Sequence, residues 1–368
     1  MSERSEPSSP PRPLAPTPFL MAGGGTGGHI IPALAVARQL RARGHQAFFV
    51  GTTRGLEAKL VPAAGFPLIY IDIGGLNRVS LARKLTTLAK LPFTTLGCLK
   101  LRGAAVFSMG GYVAGPPVMA ALLKRTPVVV MEPNAVPGFT NRVIARFVSR
   151  ALISFPETAR WFRAGCTELT GLPVREEFFQ IPPKPRADTL TVLITGGSQG
   201  SRTLNRAARQ SWPLFRQAGF PIRIVHQTGA SGSESLRDEF ASSGLAGEIV
   251  PFITDMPAAF RQADLIVCRS GAGAVSELAA AGKPSILVPF PFAADDHQTR
   301  NAEAMERAGA ARLVRDADAN GERLFATIRA LADAPGTLDR MAAAARQLAK
   351  PGAARRAAEI LEELASRA

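Results

Sequence analysis

The chain has 368 residues, of which 46% are hydrophobic and 20% are charged, so it can form two α/β domains with buried cores, and wholesale disorder is excluded. The net charge of +15 favours an anionic partner, either nucleic acid or an anionic lipid surface. Three widely spaced cysteines without a CxxC pair argue against a disulfide framework and a zinc site, and suit a reducing cytoplasm.

The first segment, residues 1–18, is rich in proline and carries almost no apolar bulk. Such a composition cannot form a packed core, so we expect a disordered leader. The segment also lacks the apolar central stretch of a signal peptide.

Two glycine-rich turns divide the rest of the chain into similar halves. GGGTGGH (residues 23–29) and GGSQGSR (196–202) each follow an apolar strand and precede a helical pattern and a second strand. That order begins a doubly wound parallel sheet, so we predict an α/β fold with two Rossmann-like domains facing a cleft. The apolar segments predict strands at residues 19–22, 47–50, 105–108, 128–131, 151–154, 189–195, 222–226, 265–267 and 285–288.

The boundary between the halves is predicted near residues 171–185, where GLPVREEFFQIPPKP is rich in proline and shows no sustained period. We therefore assign residues 19–173 to an N-terminal domain and residues 174–350 to a C-terminal domain. The last residues, 351–368, hold an amphipathic helical pattern. We expect this helix to pack back across the cleft onto the first domain.

The first glycine turn contains the GxGxxG pattern at Gly23, Gly25 and Gly28, which lets backbone N–H groups approach a pyrophosphate. An NAD site would also need an acidic residue at the end of the next strand, but residues 48–52 contain none. The turn therefore predicts a phosphate-bearing ligand other than NAD. His29 follows it, and a neutral imidazole with a reference pKa of ~6.5 can act as a general base. The alternative is a helix-start histidine that only makes hydrogen bonds.

The second half contains a second candidate site in residues 263–290, which predict a strand, a small-residue turn, a helix and a further strand. The turn at residues 270–273 would present backbone donors and a helix dipole, the latter worth ~0.3–1 kcal/mol at exposed sites, to a leaving diphosphate. Glu277 lies about one turn inside the helix, where its carboxylate could accept two ribose hydroxyl bonds. The alternative is a solvated surface acid.

A polar cluster follows the next apolar strand, within AADDHQTRNA (residues 293–302). It consists of His297, Gln298 and Asn301. Amide side chains both donate and accept hydrogen bonds, so the cluster suits sugar hydroxyls.

Residues 73–131 contain no Asp or Glu but eight Lys or Arg, and within them residues 80–102 alternate leucines with cations. Pro92 predicts an interruption, as two short helices or a helix and a loop. An apolar face rimmed by cations suits an anionic lipid surface, at roughly 1 kcal/mol per basic residue, whereas nucleic acid would favour stacking aromatics. The alternative is a core-facing helix with a basic edge. The uncharged run 103–123 is broken by glycine and proline pairs, so no membrane span is predicted.

Seven blocks, in order from Phe19 to the C-terminus, resemble the MurG family of UDP-N-acetylglucosamine–lipid I N-acetylglucosaminyltransferases: GGGTGGHIIPALAVA, SMGGYVAGPP, EPNAVPGFTNR, LTGLPVREEF, GGSQGSRTLN, CRSGAGAVSELAAAGKP and DDHQTRNA. The resemblance implies a B-type glycosyltransferase that moves GlcNAc, with inversion, from UDP-GlcNAc to the 4-hydroxyl of the MurNAc-pentapeptide of lipid I. The product would be lipid II of peptidoglycan synthesis. We expect no cofactor, no metal and no nucleic acid. The resemblance places the chain peripherally on the cytoplasmic face of the cell membrane, with cell-wall synthesis and division proteins as candidate partners.

The resemblance also implies donor contacts. The loop on the donor-sugar side of the cleft would contain Thr26, Gly27 and Gly28. The GlcNAc itself would contact Asn134 and Gln298. The diphosphate would lie near Arg175 and Ser198. The uracil would meet the backbone of Ile253. The helix-start segment, with Glu277 on the ribose, would comprise Ala272, Gly273, Ala274, Val275, Ser276 and Glu277. Some family members carry Gln in place of His297.

For the acceptor, the resemblance implies a lipid-diphosphate loop at Gly110, Gly111 and Tyr112. His29, which follows the first glycine turn, is our candidate base. One-step inversion requires in-line attack by the muramyl hydroxyl and stabilisation of the departing UDP, here by helix-start amides and Arg175, so no divalent metal need take part.

Two other interpretations remain. One is a different enzyme on this fold, a diacylglycerol glucosyltransferase or a UDP-GlcNAc 2-epimerase; the SMGGYVAGPP loop favours the lipid diphosphate instead. The other is a non-catalytic nucleotide-sugar-binding subunit at the membrane, against which the joint presence of His29, Glu277 and Gln298 argues.

Overall fold

The computed structural model describes residues 16–74, 81–185, 187–230 and 233–367. They form two sheets in which every pair of neighbouring strands is parallel. The strands are β1 (Pro18–Gly23), β2 (Gln46–Gly51), β3 (Leu68–Tyr70), β4 (Ala105–Gly110), β5 (Val128–Glu132), β6 (Arg150–Ile153), β7 (Thr167–Leu169), β8 (Leu190–Thr195), β9 (Ile222–Gln227), β10 (Ala246–Val250), β11 (Leu265–Cys268), β12 (Ser285–Leu287) and β13 (Ala311–Leu313).

Helices connect the strands and cover both faces of each sheet. They are α1 (Gly27–Ala42), α2 (Glu57–Ala63), α3 (Leu81–Cys98), α4 (Gly115–Leu123), α5 (Phe139–Ile144), α6 (Glu176–Phe179), α7 (Arg202–Gln217), α8 (Ser233–Ser243), α9 (Met256–Gln262), α10 (Ala272–Ala281), α11 (His297–Arg307), α12 (Gly321–Asp333), α13 (Thr337–Gln347) and α14 (Ala353–Ala365).

The strand order is β3-β2-β1-β4-β5-β6-β7 in the first sheet and β10-β9-β8-β11-β12-β13 in the second. In each sheet the order reverses direction beside the first strand, between β1 and β4 and between β8 and β11. Ligands of open α/β sheets bind outside the carboxyl ends of the strands at such a switch point. Both glycine-rich turns, which follow β1 and β8, lie there. The predicted fold of two Rossmann-like domains is confirmed.

The C-terminal helix α14 belongs to the core of the first domain. Ala357, Ala358, Ile360 and Leu361 are buried there with α1 and the first sheet. At the rim, Arg43 contacts Glu359 and Glu362 at 3.2 and 3.0 Å. The chain therefore crosses between the domains twice. The boundary between residues 173 and 174 stays a prediction.

Two sequence expectations near the chain start and in α3 need correction. Pro18, the last residue of the predicted leader, already pairs with Gln46 in the first sheet; residues 1–15 lie outside the described residues. α3 also runs through Pro92 without a break. A proline removes one backbone donor, and this helix continues past that loss.

Candidate active site

The cleft between the sheets is bounded by loops that touch across it. Arg142 of the first domain forms an ion pair with Asp295 of the second, at 2.9 Å. Glu157 pairs in the same way with Arg307, at 2.7 Å. These contacts place α5 and the segment after β6 opposite the segment after β12 and helix α11.

The first glycine turn is supported from below by a buried carboxylate. Glu57, the first residue of α2, accepts hydrogen bonds from the N–H of Gly25 at 2.7 Å and from the N–H and hydroxyl of Thr52 at 2.9 Å. Burial acts to raise the pKa of Glu57, but these hydrogen bonds hold it below its ordinary value. Residues 48–52, at the end of β2, contain no carboxylate. The structure supplies one from α2, and it binds the turn itself.

His29 lies in the first turn of α1, at the wall of the cleft. Its Nδ1 is 3.2 Å from the carbonyl oxygen of Gly24 and 3.5 Å from the hydroxyl of Thr26. Because a carbonyl only accepts, the neutral ring carries its proton on Nδ1 and leaves Nε2 as an acceptor. Burial lowers the pKa of His29, and the nearby His297 ring adds to that effect. The imidazole is therefore neutral near pH 7.

The loop after β4 packs against this glycine turn. Gly110 and Gly111 have φ angles of 75° and 77°, in the left-handed region that favours glycine. A Cβ at Gly111 would stand 3.2 Å from Nδ1 of His29, so a side chain there would crowd the imidazole. Tyr112 lies beside Gly25, whose Cβ would stand 3.1 Å from the tyrosine ring. The predicted acceptor loop and the predicted base are thus neighbours.

A second buried carboxylate, Glu132 at the end of β5, organises the loop that carries Asn134. It accepts hydrogen bonds from the N–H and the amide of Asn134, both at 3.0 Å, from the N–H of Gly138 at 3.1 Å and from the amide of Asn141 at 2.9 Å. Burial raises the pKa of Glu132, and the hydrogen bonds oppose that rise. The Asn134 side chain is therefore held in place before any ligand arrives.

Asn301 of α11 joins the two domains. Its amide donates to the Asn134 side chain at 3.1 Å and to the Ser270 carbonyl at 3.2 Å, and its Oδ1 accepts from the N–H of Ala135 at 3.0 Å. The side chain is fully buried. It thus links the loop after β5 to the turn before α10.

The second glycine turn is held by Gln227 at the end of β9. Its amide donates to the carbonyl of Gly197 at 2.9 Å, while its oxygen accepts from the N–H of Ile253 at 2.8 Å. Ser198, in the same turn, is exposed. The N–H of Ile253 is thus already bonded within the protein.

Glu277, in the second turn of α10, is half-buried, and its carboxylate has no hydrogen-bond partner within the described part of the chain. Burial raises its pKa to about 7, and the charge of Arg175 opposes that rise. The Arg175 guanidinium lies over the ring of Phe178, 4.9 Å from its centroid. An unpartnered carboxyl with a raised pKa in a cleft marks a candidate ligand contact.

Residues at the start of α11 complete this side. The Gln298 oxygen accepts from the N–H of Phe290 at 3.0 Å, and its amide nitrogen lies next to Gly271, the residue that precedes α10. Nδ1 of His297 is 2.7 Å from the carbonyl of Ala294. The polar cluster predicted from the sequence therefore borders both the α10 turn and His29.

The structure thus places His29, with Gly27 and Gly28 before it, near His297, while Gln298 of the same helix lies next to the turn that precedes the α10 segment 272–277. The supporting roles of Glu57, Glu132 and Gln227 were not predicted. No group of His, Cys, Asp and Glu that could hold a metal ion occurs among the described residues.

Comparisons with known proteins cover nearly the whole chain. Residues 19–153 match the glycosyltransferase family 28 N-terminal domain, and residues 191–360 match the family 28 C-terminal domain. A UDP-N-acetylglucosamine–N-acetylmuramyl-(pentapeptide) pyrophosphoryl-undecaprenol N-acetylglucosamine transferase of Solibacter usitatus is 71% identical over 96% of this chain and 98% of its own length. Its namesake in Azotobacter vinelandii is 44% identical over 94% of this chain and 98% of its own length.

Solved structures agree with these matches. The crystal structure of Acinetobacter baumannii MurG superposes with a TM-score of 0.81 at 35% identity, covering 95% of this chain and all of that one. A UDP-GlcNAc 2-epimerase from Neisseria meningitidis bound to UDP-GlcNAc superposes with a TM-score of 0.65 at 13% identity, over 94% of this chain and 99% of that one. The second likeness shows a common fold only.

Proposed function

Since this chain belongs to the MurG family within glycosyltransferase family 28, we propose that it transfers N-acetylglucosamine from UDP-GlcNAc to lipid I, giving lipid II. The identity of 71% over nearly the full length carries this proposal. The geometry supports it, because one cleft holds a neutral imidazole on one wall and an unpartnered carboxyl beside a helix start on the other.

For the donor, Glu277 would accept the ribose hydroxyls, and the N-terminus of α10 with Arg175 would face the diphosphate. Gln298 and Asn134 border the space that the sugar would occupy. The N–H of Ile253 is bonded to Gln227, so its carbonyl is the group left to meet the N3–H of uracil.

For the reaction, His29 would act as the general base. The muramyl 4-hydroxyl oxygen attacks C1 of GlcNAc, its proton passes to Nε2 of His29, and the bond from C1 to the phosphate oxygen breaks. UDP leaves with the electron pair, and backbone donors at the α10 start stabilise its charge. The Nδ1 contact to Gly24 keeps Nε2 free for the incoming proton.

For the acceptor, the loop at Gly110, Gly111 and Tyr112 would receive the lipid diphosphate, since it adjoins His29. α3 would contact the membrane: Phe93 and Leu96 are 76% and 58% exposed, although Thr95 and Cys98 face the core. The described residues include no helix that is long and apolar enough to span a bilayer. Peripheral binding at the cytoplasmic leaflet follows from this proposal.

The test uses purified protein, labelled UDP-GlcNAc and a lipid I analogue, with disaccharide formation as the readout. Disaccharide that forms only when the lipid I analogue is present supports the proposal. Conversion of UDP-GlcNAc to UDP-N-acetylmannosamine without disaccharide would favour the epimerase instead. Binding of UDP-GlcNAc without any product would favour the non-catalytic subunit.

A further inference from the structure

We propose that Glu57 is a positioning residue for His29 and acts through the one peptide group that joins Gly24 to Gly25. The proposal deepens the proposed function, because it takes His29 as the base. In many enzymes a carboxylate bonded directly to the catalytic histidine orients its ring and stabilises its positive charge. We assign the same role to Glu57, although it acts through a peptide group.

The geometry forms a continuous chain from carboxylate to imidazole. Oε2 of Glu57 accepts the N–H of Gly25 at 2.7 Å, and the carbonyl of the same peptide group, which belongs to Gly24, lies 3.2 Å from Nδ1 of His29. Hydrogen bonds in a chain polarise one another. The buried negative charge therefore makes the Gly24 carbonyl a stronger acceptor for the Nδ1 proton.

The surroundings of Glu57 are built around its carboxylate. The residue is fully buried, and its oxygens accept three hydrogen bonds from Gly25 and Thr52. A Cβ at Gly24 would lie 2.6 Å from the carboxyl carbon, and one at Gly55 would overlap Oε2. Glycines at both places make room for a carboxylate that lies close beneath the turn.

Several groups around His29 influence the charge on its imidazole, and Glu57 is one of them. The ring of His297 on α11 disfavours a charged imidazole, as does burial, whereas the Gly24 carbonyl and the Glu57 charge favour it. The Thr26 hydroxyl is 3.5 Å from Nδ1. As Nε2 takes the acceptor's proton, the developing positive charge is stabilised through the Gly24–Gly25 peptide group. Glu57 thus fixes the tautomer and supports the cation that the reaction forms.

A purely structural Glu57 would hold the turn without affecting the imidazole, so the test must observe the ring itself. The chain has four histidines, which permits ¹⁵N-histidine labelling with His29→Gln to assign the His29 signals. Glu57→Gln keeps the size of the side chain and removes its charge. Glu132→Gln is the matched control, since that carboxylate is also buried in the first domain but bonds to Asn134, Gly138 and Asn141.

In folded Glu57→Gln we expect the His29 nitrogen shifts to move away from the Nδ1–H tautomer and its pKa to fall. We expect kcat to drop by about 10–100-fold, as for other groups that orient a reacting side chain through a hydrogen bond, with the KM for UDP-GlcNAc unchanged. In Glu132→Gln the His29 shifts should stay in place. Unchanged His29 shifts in Glu57→Gln, or equal changes in both variants, would overturn the proposal. The spectra need no turnover, so they test Glu57 even if the transferase assay fails.

Discussion

The side-chain amide of Asn301 donates to the side-chain oxygen of Asn134 over 3.1 Å, from the second domain to the first. Three residues before Asn301, on the same helix, stands Gln298. The hydrogen bond therefore sets the distance between two amide side chains, Asn134 and Gln298, that we propose contact the same sugar from opposite walls of the cleft.

Asn301→Ala should lower both stability and donor affinity. It removes the partner of the Ala135 N–H and of the oxygens of Asn134 and Ser270, and each buried polar group left unsatisfied costs ~1–3 kcal/mol. Calorimetric unfolding and the KM for UDP-GlcNAc measure the two effects. Arg300→Ala is the control, because Arg300 is exposed and, among the residues that the structure describes, forms an ion pair only with Glu303. Equal melting temperatures for the two variants would contradict the role of Asn301.

His29→Ala should lower kcat by roughly 10²–10⁴ and leave UDP binding nearly intact, because only the transition state needs the base. In the wild type, the lowered pKa of His29 means that the imidazole stays neutral at lower pH than an ordinary histidine. The acid limb of kcat should therefore fall below pH 6.5, and His29→Ala should lack it. Turnover within a few-fold of wild type in the variant would assign the proton to another group or to solvent.

Glu277→Ala should raise the KM for UDP-GlcNAc by the equivalent of ~1–3 kcal/mol, because hydrogen bonds to a charged group are lost. Burial raises the pKa of Glu277 to about 7, and ribose hydroxyls bind best to the ionised form. UDP-GlcNAc affinity should therefore increase as pH rises from 6 to 8. Glu277→Gln should remove that slope in calorimetric titrations. A variant with the wild-type slope would exclude Glu277 from the site.

Binding to anionic vesicles should depend on α3. Electrostatic attraction to a charged surface is screened over ~8 Å at physiological ionic strength, so salt should weaken the contribution of Arg83, Lys84 and Lys90. Replacing all three with Gln should also loosen vesicle binding. Lys90 should contribute least, because it forms an ion pair with Asp72. The absence of Asp and Glu from residues 73–131 suggested that these cations have no acidic partner. Lys90 nevertheless has one in Asp72, which lies just before that range.

The part of vesicle binding that persists at high salt should come from Phe93 and Leu96, so the double alanine variant should lose it in sedimentation assays. Leu169→Ala, at a partly exposed leucine of β7, is the matched control. Full sedimentation of both the cation and the apolar variants would place the membrane face elsewhere.

The sequence predicted the fold because strand and helix patterns are local. Each predicted strand occurs within about two residues of its expected bounds, and a helix follows each glycine-rich turn as predicted. Pro92 was misjudged because helix continuation depends on tertiary packing as well as on the missing donor. Local sequence patterns were therefore enough to locate the predicted strands, whereas tertiary packing decides where a helix ends.

The supporting residues of the site could not be predicted in the same way. Glu57 looks like an ordinary first-turn acid of a surface helix, and its bond to Gly25 spans 32 positions in the chain. Asn301 reaches Ala135 across 166 positions. Such pairs depend on how the helices pack against the sheets, and no short-range sequence pattern encodes that packing. A buried carboxylate beneath glycines is visible only when both are placed in space.

The location of α14 has a consequence for how the protein is made. Ala357, Ala358, Ile360 and Leu361 fill the core beneath α1, yet they follow the whole second sheet in the chain. Domains generally fold in order as they emerge. Here the apolar surface beneath α1 stays uncovered until the second domain has been synthesised, because α14 follows that domain in the chain. A nascent chain that stalls before α14 would thus present that open surface to chaperones and proteases.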